Sequence, residues 1–319
     1  MKIKRRDFLK GLAGSAALAM APPVSAIAAS SEKHRLPDAL GILYDSTLCV
    51  GCQACMVACK KANNMPMEYS GSQRLWENPV DLSSKTLNVI KEYENGAAKI
   101  KDREIDGYAF IKRQCMHCVD PACVSACPAT AMTKDPKTGI VSYNKDACIG
   151  CRYCAVACPF DIPKFEWDNP FPKIVKCQLC NHLVAKGQIA ACASECPTGA
   201  SIFGPVKDLL IEAERRQTMI PGKYYEFPVA EVSSTTKQVH KVKQYIPYLY
   251  GKNDGGGTQT FMMAAVPFNK LGLPTLPDRS YASMAENIQH TLYKGMILPI
   301  VVFGGLIFLV KRSEKNKKE

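Results

Sequence analysis

Residues 148–159 read CIGCRYCAVACP, and the cysteine spacing in this stretch, Cys-x2-Cys-x2-Cys-x3-Cys-Pro, recurs along the chain. The same spacing occurs at residues 49–59, where Lys60 stands in place of the proline. A second group at residues 115–128 has a wider middle interval, and a fourth group at residues 177–197 is interrupted by eleven residues. All 16 cysteines of the 319-residue chain therefore fall into four groups of four.

This spacing is typical of iron-sulfur proteins. Three thiolates on one short loop can bind three corners of a 4Fe-4S cube, while the fourth, at the start of a short helix, points toward a second cube. Two groups together thus complete two clusters by exchange. The four groups predict four 4Fe-4S clusters with no cysteine left over.

Disulfides and structural zinc are the alternatives for these cysteines. An exported protein with an even number of cysteines can carry disulfides, but cysteines two or three residues apart are poor partners in a regular framework. Zinc uses Cys-x2-Cys pairs, but it does not explain the third closely spaced cysteine or the Cys-Pro step in three groups. Iron-sulfur clusters are the favoured interpretation.

The formal net charge of +12 is concentrated at the two ends of the chain. Residues 1–28 carry five basic and one acidic side chain, and residues 311–319 carry five basic and two acidic ones. The body between them has 31 basic and 26 acidic side chains, a surplus of five. Four clusters at about −2 each would reverse this surplus, so the charge argues against nucleic-acid binding.

The N-terminus has the pattern of an export signal. Residues 4–10 read KRRDFLK, a weakly apolar run follows at residues 11–21, and small residues end the segment at Ala26 and Ala28. A charged start, a short apolar middle and an Ala-x-Ala end predict a signal peptide over residues 1–28, and the arginine pair indicates the twin-arginine route. The alternative is a chance Arg-Arg pair before an amphipathic helix.

A second apolar segment lies near the C-terminus. Gly295–Val310 contains no charge, and extension to Thr291 gives the roughly 20 residues that a membrane span needs. Lys294 lies inside this longer stretch, where a lysine near a helix end can reach the interface. We expect a transmembrane helix at residues 291–310 and a basic cytoplasmic tail at residues 311–319, with a buried soluble helix as the alternative.

Between the ends, residues 40–205 are predicted to form a four-cluster ferredoxin-like region with a polar insertion at residues 60–114. Ala131–Lys134 and Ile140–Tyr143 are predicted to form a hairpin around the turn at residues 135–139. This hairpin followed by a cysteine loop is the layout of a two-cluster ferredoxin.

Residues 206–290 are predicted to begin with a helix, since Val206, Leu209 and Ala213 recur at helical spacing. The rest of this segment is predicted to run extended over a surface. The expected fold class is α+β, with tandem two-cluster ferredoxin-like domains, short hairpins and helices, an extended C-terminal segment and one transmembrane helix.

The cysteine groups resemble those of four-cluster ferredoxin subunits of membrane-bound oxidoreductases, such as the subunits that serve formate dehydrogenase and dimethyl sulfoxide reductase. Four stretches more closely resemble the HybA-type subunits of hydrogenase-2, as does the combination of a twin-arginine signal with a C-terminal anchor. These are LYDSTLCVGCQAC (43–55), KRQCMHCVDP (112–121), GGGTQ (255–259) and ENIQHTLYKGM (286–296). The resemblance covers nearly the whole chain.

The resemblance implies that the first group pairs with the fourth and the second with the third. We name the resulting ligand sets by number. They are set 1 (Cys49, Cys52, Cys55, Cys196), set 2 (Cys59, Cys177, Cys180, Cys192), set 3 (Cys115, Cys118, Cys123, Cys158) and set 4 (Cys127, Cys148, Cys151, Cys154). Each set is expected to bind one 4Fe-4S cluster.

The resemblance also implies the role of an electron-transfer subunit. Electrons would enter from the small subunit of a nickel-iron hydrogenase, whose large subunit oxidises dihydrogen, and leave toward a quinone through an integral membrane subunit. No nucleotide-binding loop, zinc-protease motif or nucleophile elbow predicts a catalytic site in this chain. The same role beside another exported oxidoreductase, of the formate dehydrogenase or molybdenum reductase type, and a non-redox metal-binding adaptor are the alternatives.

Three histidines have positions of interest. His117 and His182 lie within cysteine loops, where packing or hydrogen bonding around a cluster is favoured over ligation. His290 lies at the predicted membrane boundary, where interfacial packing is favoured over quinone contact.

The export signal can be tested with the double substitution Arg5→Lys and Arg6→Lys. We expect the variant to fold and to remain in the cytoplasm, because the arginine pair is an address and not part of the folded core. Cell fractionation and immunoblotting measure the distribution, with Lys2→Arg as the control that keeps the pair. Normal export of the double variant would contradict the twin-arginine interpretation.

Overall fold

The computed structural model describes residues 33–69, 71 and 76–318. The predicted signal peptide at residues 1–28 lies outside the described residues. The chain divides into two compact units, of which the larger is Lys33–Ala285. This unit contains every strand and all four cysteine groups that the structure describes. The fold is α+β, as predicted.

The strands are β1 (Leu40–Asp45), β2 (Val89–Glu94), β3 (Ile100–Lys101), β4 (Gly107–Arg113), β5 (Met132–Lys134), β6 (Val141–Tyr143), β7 (Lys164–Phe165), β8 (Ile174–Val175), β9 (Ser201–Pro205), β10 (Tyr224–Pro228), β11 (Ala230–Glu231), β12 (Lys237–Lys241) and β13 (Thr260–Met263). The helices are α1 (Ala54–Ala62), α2 (Ala122–Ser125), α3 (Tyr153–Ala157), α4 (Asn181–Val184), α5 (Ala191–Ser194), α6 (Val206–Gln217) and α7 (Tyr281–Lys318), with a 3-10 turn at Asp254–Gly256.

A four-stranded sheet in the order β11-β9-β1-β13 forms the centre of the larger unit. Strand β1 runs antiparallel to β9, with Tyr44 opposite Ser201, and parallel to β13, with Leu43 opposite Phe261. Its residues are almost all buried, which explains why β1 reads as a continuous apolar run without alternation. This sheet brings the chain entering the first cysteine group beside the chain leaving the fourth.

Two short hairpins connect the remaining groups. The predicted hairpin is confirmed as β5 and β6, with Met132 opposite Tyr143. Its turn is closed by Asp135, whose Oδ1 accepts hydrogen bonds from the backbone N–H groups of Lys137 (3.0 Å) and Thr138 (2.6 Å). The β7–β8 hairpin likewise leads from the third cysteine group to the fourth. Each hairpin therefore brings consecutive groups together.

The predicted insertion at residues 60–114 forms a separate three-stranded sheet in the order β2-β4-β3. Strands β2 and β4 are antiparallel, and Ile90 and Ile111 on them are buried in the core. The ring of Trp76 lies 5.0 Å from that of Phe110, centroid to centroid. Both rings also lie against Gly51 of the first cysteine group, so the segment packs on the cysteine-bearing region.

Helix α6 confirms the predicted helical spacing, and it carries a buried charge network. Arg216 is fully buried, and its guanidinium donates to Asp45 at the end of β1 (2.9 Å) and to Glu212 (2.8 Å). The hydroxyl of Tyr245 also donates to Asp45 (2.7 Å). The network ties α6 and the chain around residue 245 to the strand that precedes the first cysteine group.

The expectation that residues 218–290 run extended over a surface is wrong for the part of the segment around β13. This segment contributes strands β10 to β13, and β13 is a fully buried edge of the central sheet. Phe261, Met262 and Val266 belong to the main hydrophobic core. Strand β13 has only four residues without a periodic pattern, so local sequence could not distinguish it from a loop.

The expectation of a transmembrane helix at residues 291–310 is also wrong. These residues lie in α7, yet across the described part of the chain no helix combines the length and the apolar character that crossing a membrane requires. The physical reason lies in the uncharged stretch Gly295–Val310, whose 16 residues extend about 24 Å as a helix, short of the roughly 30 Å of hydrocarbon.

The buried network predicts unequal effects for two neighbouring arginines. Arg216→Leu should lower the free energy of unfolding by about 3–5 kcal/mol, because it leaves the buried carboxylate of Asp45 without its cation. Arg215 pairs with Glu212 (2.7 Å) but is 43% exposed, so Arg215→Leu should cost about 0–1 kcal/mol. Circular dichroism during anaerobic heating compares the two variants. Equal losses of stability would contradict the assigned role of the network.

Candidate iron-sulfur sites

The four cysteine loops share one backbone feature. In every group the residue before the second cysteine has a positive φ: 71° at Gly51, 47° at His117, 73° at Gly150 and 50° at Leu179. Only glycine adopts this conformation without a steric cost, so two of the four loops hold a side chain there at some strain. The common turn shows that the groups are repeats in structure as well as in spacing.

The first and third cysteine groups share a second backbone feature. The residue after the second cysteine also has a positive φ in both, 60° at Gln53 and 65° at Arg152, and a helix begins at the following residue. Helix α1 then carries the last two cysteines of its group, Cys55 and Cys59, whereas α3 carries Cys154 and ends just before Cys158. The sequence expectation that the final cysteine lies at the start of a short helix is wrong, because Cys59 lies in the second half of α1 and Cys158 directly follows α3.

Set 1 is assembled by the central sheet. Because β1 and β9 are antiparallel neighbours, Cys49 just after β1 lies near Cys196 just before β9, and the two thiols interact electrostatically. Cys55 interacts with both. Cys52 is exposed, and the described contacts join the other three thiols.

Set 2 is assembled by packing between α1 and α5. This contact brings Cys59 to Cys192 and Cys180. Cys177 interacts with all three. All four thiols of the set are buried.

Sets 3 and 4 are assembled by the β5–β6 hairpin together with packing between α2 and α3. Cys118 interacts with the other three thiols of set 3, and Cys154 with the other three of set 4. All four cysteines of set 4 also line one cavity with about 360 Å³ of empty space.

Electrostatic interactions between thiols of different sets give the order of the sets. Cys55 of set 1 interacts with Cys192 of set 2. Cys177 of set 2 interacts with Cys115 of set 3, and Cys123 of set 3 with Cys154 of set 4. Set 2 therefore lies beside set 1, set 3 beside set 2, and set 4 beside set 3.

None of the sixteen cysteines forms a disulfide. Within the described ranges, no group of three or more His, Cys, Asp and Glu side chains converges as a single bound metal ion requires. The four thiols of a 4Fe-4S site are spread differently, because each binds its own iron atom of the cluster.

The buried thiols need a metal to ionise. Burial raises the pKa of Cys55, Cys59 and Cys123 to about 12, and neighbouring thiolates add to the shift. Burial likewise raises the pKa of Cys154 and Cys158 to about 11. Bound iron supplies the positive charge that stabilises thiolates, so this donor set fits an iron-sulfur cluster.

His117 supplies a second test of fit. Its Nδ1 accepts a hydrogen bond from the Val141 N–H (3.0 Å), and burial, together with the charges of Lys176 and Lys134, lowers its pKa well below the usual value. The ring is therefore neutral with its proton on Nε2, and that buried atom has no partner among the described residues. Beside Cys118, a cluster held by set 3 would offer the sulfur acceptor that this N–H lacks.

The other two histidines that the sequence analysis considered are His182 and His290. His182 Nε2 lies 2.9 Å from the carbonyl oxygen of Ala62, which matches a hydrogen-bonding role. The side chain of His290 lies outside the described part of the chain.

The comparisons with known proteins agree with this geometry. A family model described as a 4Fe-4S dicluster domain matches residues 107–206, which hold twelve of the sixteen cysteines. The chain is 47% identical over 318 residues to Hydrogenase-2 operon protein HybA of Escherichia coli O157:H7, covering 98% of this chain and 97% of that protein. The chain belongs to the HybA family. Its HybA relative in Shigella flexneri has the same identity and coverage.

More distant relatives of this HybA-family chain serve another enzyme. It is 37% identical over 187 residues to the iron-sulfur subunit of the nitrate-inducible formate dehydrogenase of Escherichia coli K12. The match covers 58% of this chain and 60% of that subunit.

Sequence reasoning did not identify the lysines that surround the cysteine loops. Lys134 donates to the carbonyl oxygen of Cys118 (3.1 Å), Lys176 to that of Cys177 (2.9 Å) and Lys101 to that of Thr47 (2.8 Å). They come from strands or loops outside the cysteine groups. The available signal was a lysine at the end of a short strand, as Lys134 is in β5 and Lys101 in β3.

The exchange of cysteines between groups can be tested at Cys158. Although Cys158 belongs to the third group by sequence, it interacts with Cys115 and Cys118, so Cys158→Ser should affect the cluster of set 3 and spare that of set 4. Cys154→Ser should do the reverse. Iron analysis and EPR of the reduced proteins compare them, and loss of the same EPR signal in both would contradict the exchange.

Proposed function

We propose that this protein is the iron-sulfur electron-transfer subunit of a hydrogenase, with one 4Fe-4S cluster bound by each of sets 1 to 4. The main support for this proposal is that consecutive thiol sets lie side by side from set 1 to set 4. When bound, such clusters accept and donate single electrons. The chain's own part is to hold the four sites in series and to set the polarity around them.

The loops supply hydrogen-bond donors to the ligand sulfurs. The N–H of Ser201 donates to Cys196 Sγ (3.3 Å), the N–H of Leu179 to Cys177 Sγ (3.4 Å) and the amide of Asn63 to Cys59 Sγ (3.6 Å). Such donors stabilise the more negative, reduced state of a cluster and thus raise its potential.

Both ends of the series are accessible from solvent. At set 1, Cys52, Val50 and Val57 are exposed. Exposed apolar side chains in a group favour protein contact. We propose that one redox partner docks at this end.

At set 4, large apolar side chains are also exposed, and Arg152 lies over the rings of Phe165 and Trp167 (5.3 Å to each centroid). The set-4 patch consists of Ile149, Tyr153, Val156, Trp167 and Phe171. We propose that the second redox partner docks on this patch.

Membership of the HybA family supports the proposed partners. The HybA relative is named as a hydrogenase-2 operon protein, which supports a nickel-iron hydrogenase, with its small and large subunits, as the electron donor. A quinone-reactive integral membrane subunit is the proposed acceptor. Bond-making chemistry belongs to these partners, and the N-terminal sequence supports export to the periplasm by the twin-arginine route.

A second candidate function is the same role beside a formate dehydrogenase. The 37% identity to a formate dehydrogenase iron-sulfur subunit favours it. The hydrogenase is the better supported partner, because identity to the HybA relative is higher and extends over nearly the whole chain.

The proposal is tested by adding hydrogenase and dihydrogen to anaerobically purified protein that contains about sixteen iron atoms, as four complete clusters require. The hydrogenase should bleach the visible absorbance of the clusters, whereas formate dehydrogenase with formate should do so far more slowly. Failure of hydrogenase to reduce the protein would overturn the hydrogenase assignment.

A matched pair of variants tests the two docking ends. Val57 and Val156 each lie two residues after a ligand cysteine, on α1 and α3, and are 55% and 86% exposed. Val57→Glu and Val156→Glu should leave the iron content unchanged. Because a buried carboxylate opposes an apolar contact, one should slow reduction by hydrogenase about tenfold and the other should slow oxidation by the quinone-reactive partner. Unchanged rates in both would exclude these surfaces as docking sites.

A further inference from the structure

Lys112 is a fully buried lysine in strand β4. Its ammonium donates a hydrogen bond to the hydroxyl of Ser201 (3.3 Å), which lies at the start of β9. Among the described residues no carboxylate forms an ion pair with it. A buried charge without a counter-charge is costly, so the position calls for nearby anions.

The groups that face Lys112 are thiols from two different sets. It interacts electrostatically with Cys192 of set 2 and with Cys55 and Cys196 of set 1. It also interacts with Cys59 and Cys180 of set 2. The ammonium therefore lies between the first two sites of the series.

The contacts hold the ammonium in this place. Ser201 accepts from Lys112 while its own N–H donates to Cys196 Sγ (3.3 Å), so one residue connects the cation to a ligand of set 1.

The other lysines near the cysteine loops are placed differently. Lys134 interacts with Cys118 of set 3, and Lys176 with Cys123 of the same set. The ammonium groups of both lysines donate hydrogen bonds to backbone carbonyl oxygens. Lys112 instead donates to the hydroxyl of Ser201 and interacts electrostatically with ligands of two sets.

We propose that Lys112 is a positioning residue whose single positive charge is shared by the clusters of sets 1 and 2 and raises the reduction potentials of both. Reduction of either cluster adds one electron, and hence one negative charge, close to the ammonium. The charge stabilises that reduced state through Coulomb attraction in the buried, low-dielectric interior. This inference rests on the proposed function, because it requires clusters at both sets.

The test is a reductive titration of anaerobically purified holoprotein, followed by EPR. In Lys112→Met, the equilibrium constant for reduction should fall at least tenfold at two of the four clusters, or about 59 mV for one electron, and the other two should keep their potentials. Lys112→Arg retains the charge and should restore both potentials toward the unsubstituted protein.

Lys91→Met is the matched control. Lys91 lies on neighbouring β2 and pairs with Glu77 (3.4 Å) and the carbonyl oxygen of Val80 (2.6 Å). The substitution removes the same charge from the adjacent strand but away from the thiols. It should leave all four potentials unchanged, which separates a local effect of Lys112 from a change in net charge.

The outcomes are distinct. If Lys112→Met binds all four clusters and their potentials are unchanged, the proposal is overturned and the proposed function remains intact. A shift at one cluster alone would contradict the proposal that two clusters share the charge.

If Lys112→Met does not bind its clusters, Lys112→Gln, which can still donate to Ser201, should show the same two shifts in potential. Loss of clusters in both neutral variants would mean that the charge serves assembly, which also overturns the proposal. Absence of clusters from the unsubstituted protein would instead refute the proposed function.

Discussion

Antiparallel pairing between strands that flank different cysteine groups is the constraint on which the cysteine sites depend. Strand β1 enters the first group and β9 leaves the fourth, so their register brings Cys49 and Cys196 to the same end of the central sheet. The β5–β6 hairpin does the same for the second and third groups. Since no single group contains all the ligands of its set, each site exists only when these strand pairs have formed. The Arg216–Asp45 ion pair, which fastens α6 to the end of β1, therefore also supports the first site.

Charge is the second determinant of the interior. Thiols whose pKa is raised to about 11 or about 12 by burial become thiolates only when iron is bound. The four proposed clusters would add a charge of about −8 to the protein. Lysines at the cysteine loops place positive charge beside the ligand thiols. Lys112 lies between two sets, and among the described residues no carboxylate neutralises its positive charge. The surplus of basic residues in the body of the chain is thus used in the interior as well as on the surface.

Two departures from expectation have different physical origins. The local sequence pattern did not predict strand β13, because its four residues are stabilised by parallel pairing with β1, which is far away in the sequence. The helix over residues 291–310 was expected from its apolar composition, and a helix is present, but its uncharged stretch is too short to span the hydrocarbon. Periodicity and composition predict the local conformation of a segment more reliably than its surroundings.

The sequence alone determined the ligand chemistry, since closely spaced cysteines in four groups specify thiolate-bound iron-sulfur clusters whatever the rest of the chain does. It also determined the β5–β6 hairpin and helix α6, because turn residues and helical spacing act over short range. Only the tertiary structure decided which sets are neighbours, that His117 directs an unpartnered N–H from within a cysteine loop, and that Lys112 lies between two sets. These features depend on contacts between residues far apart in the chain, and local patterns carry no information about such contacts.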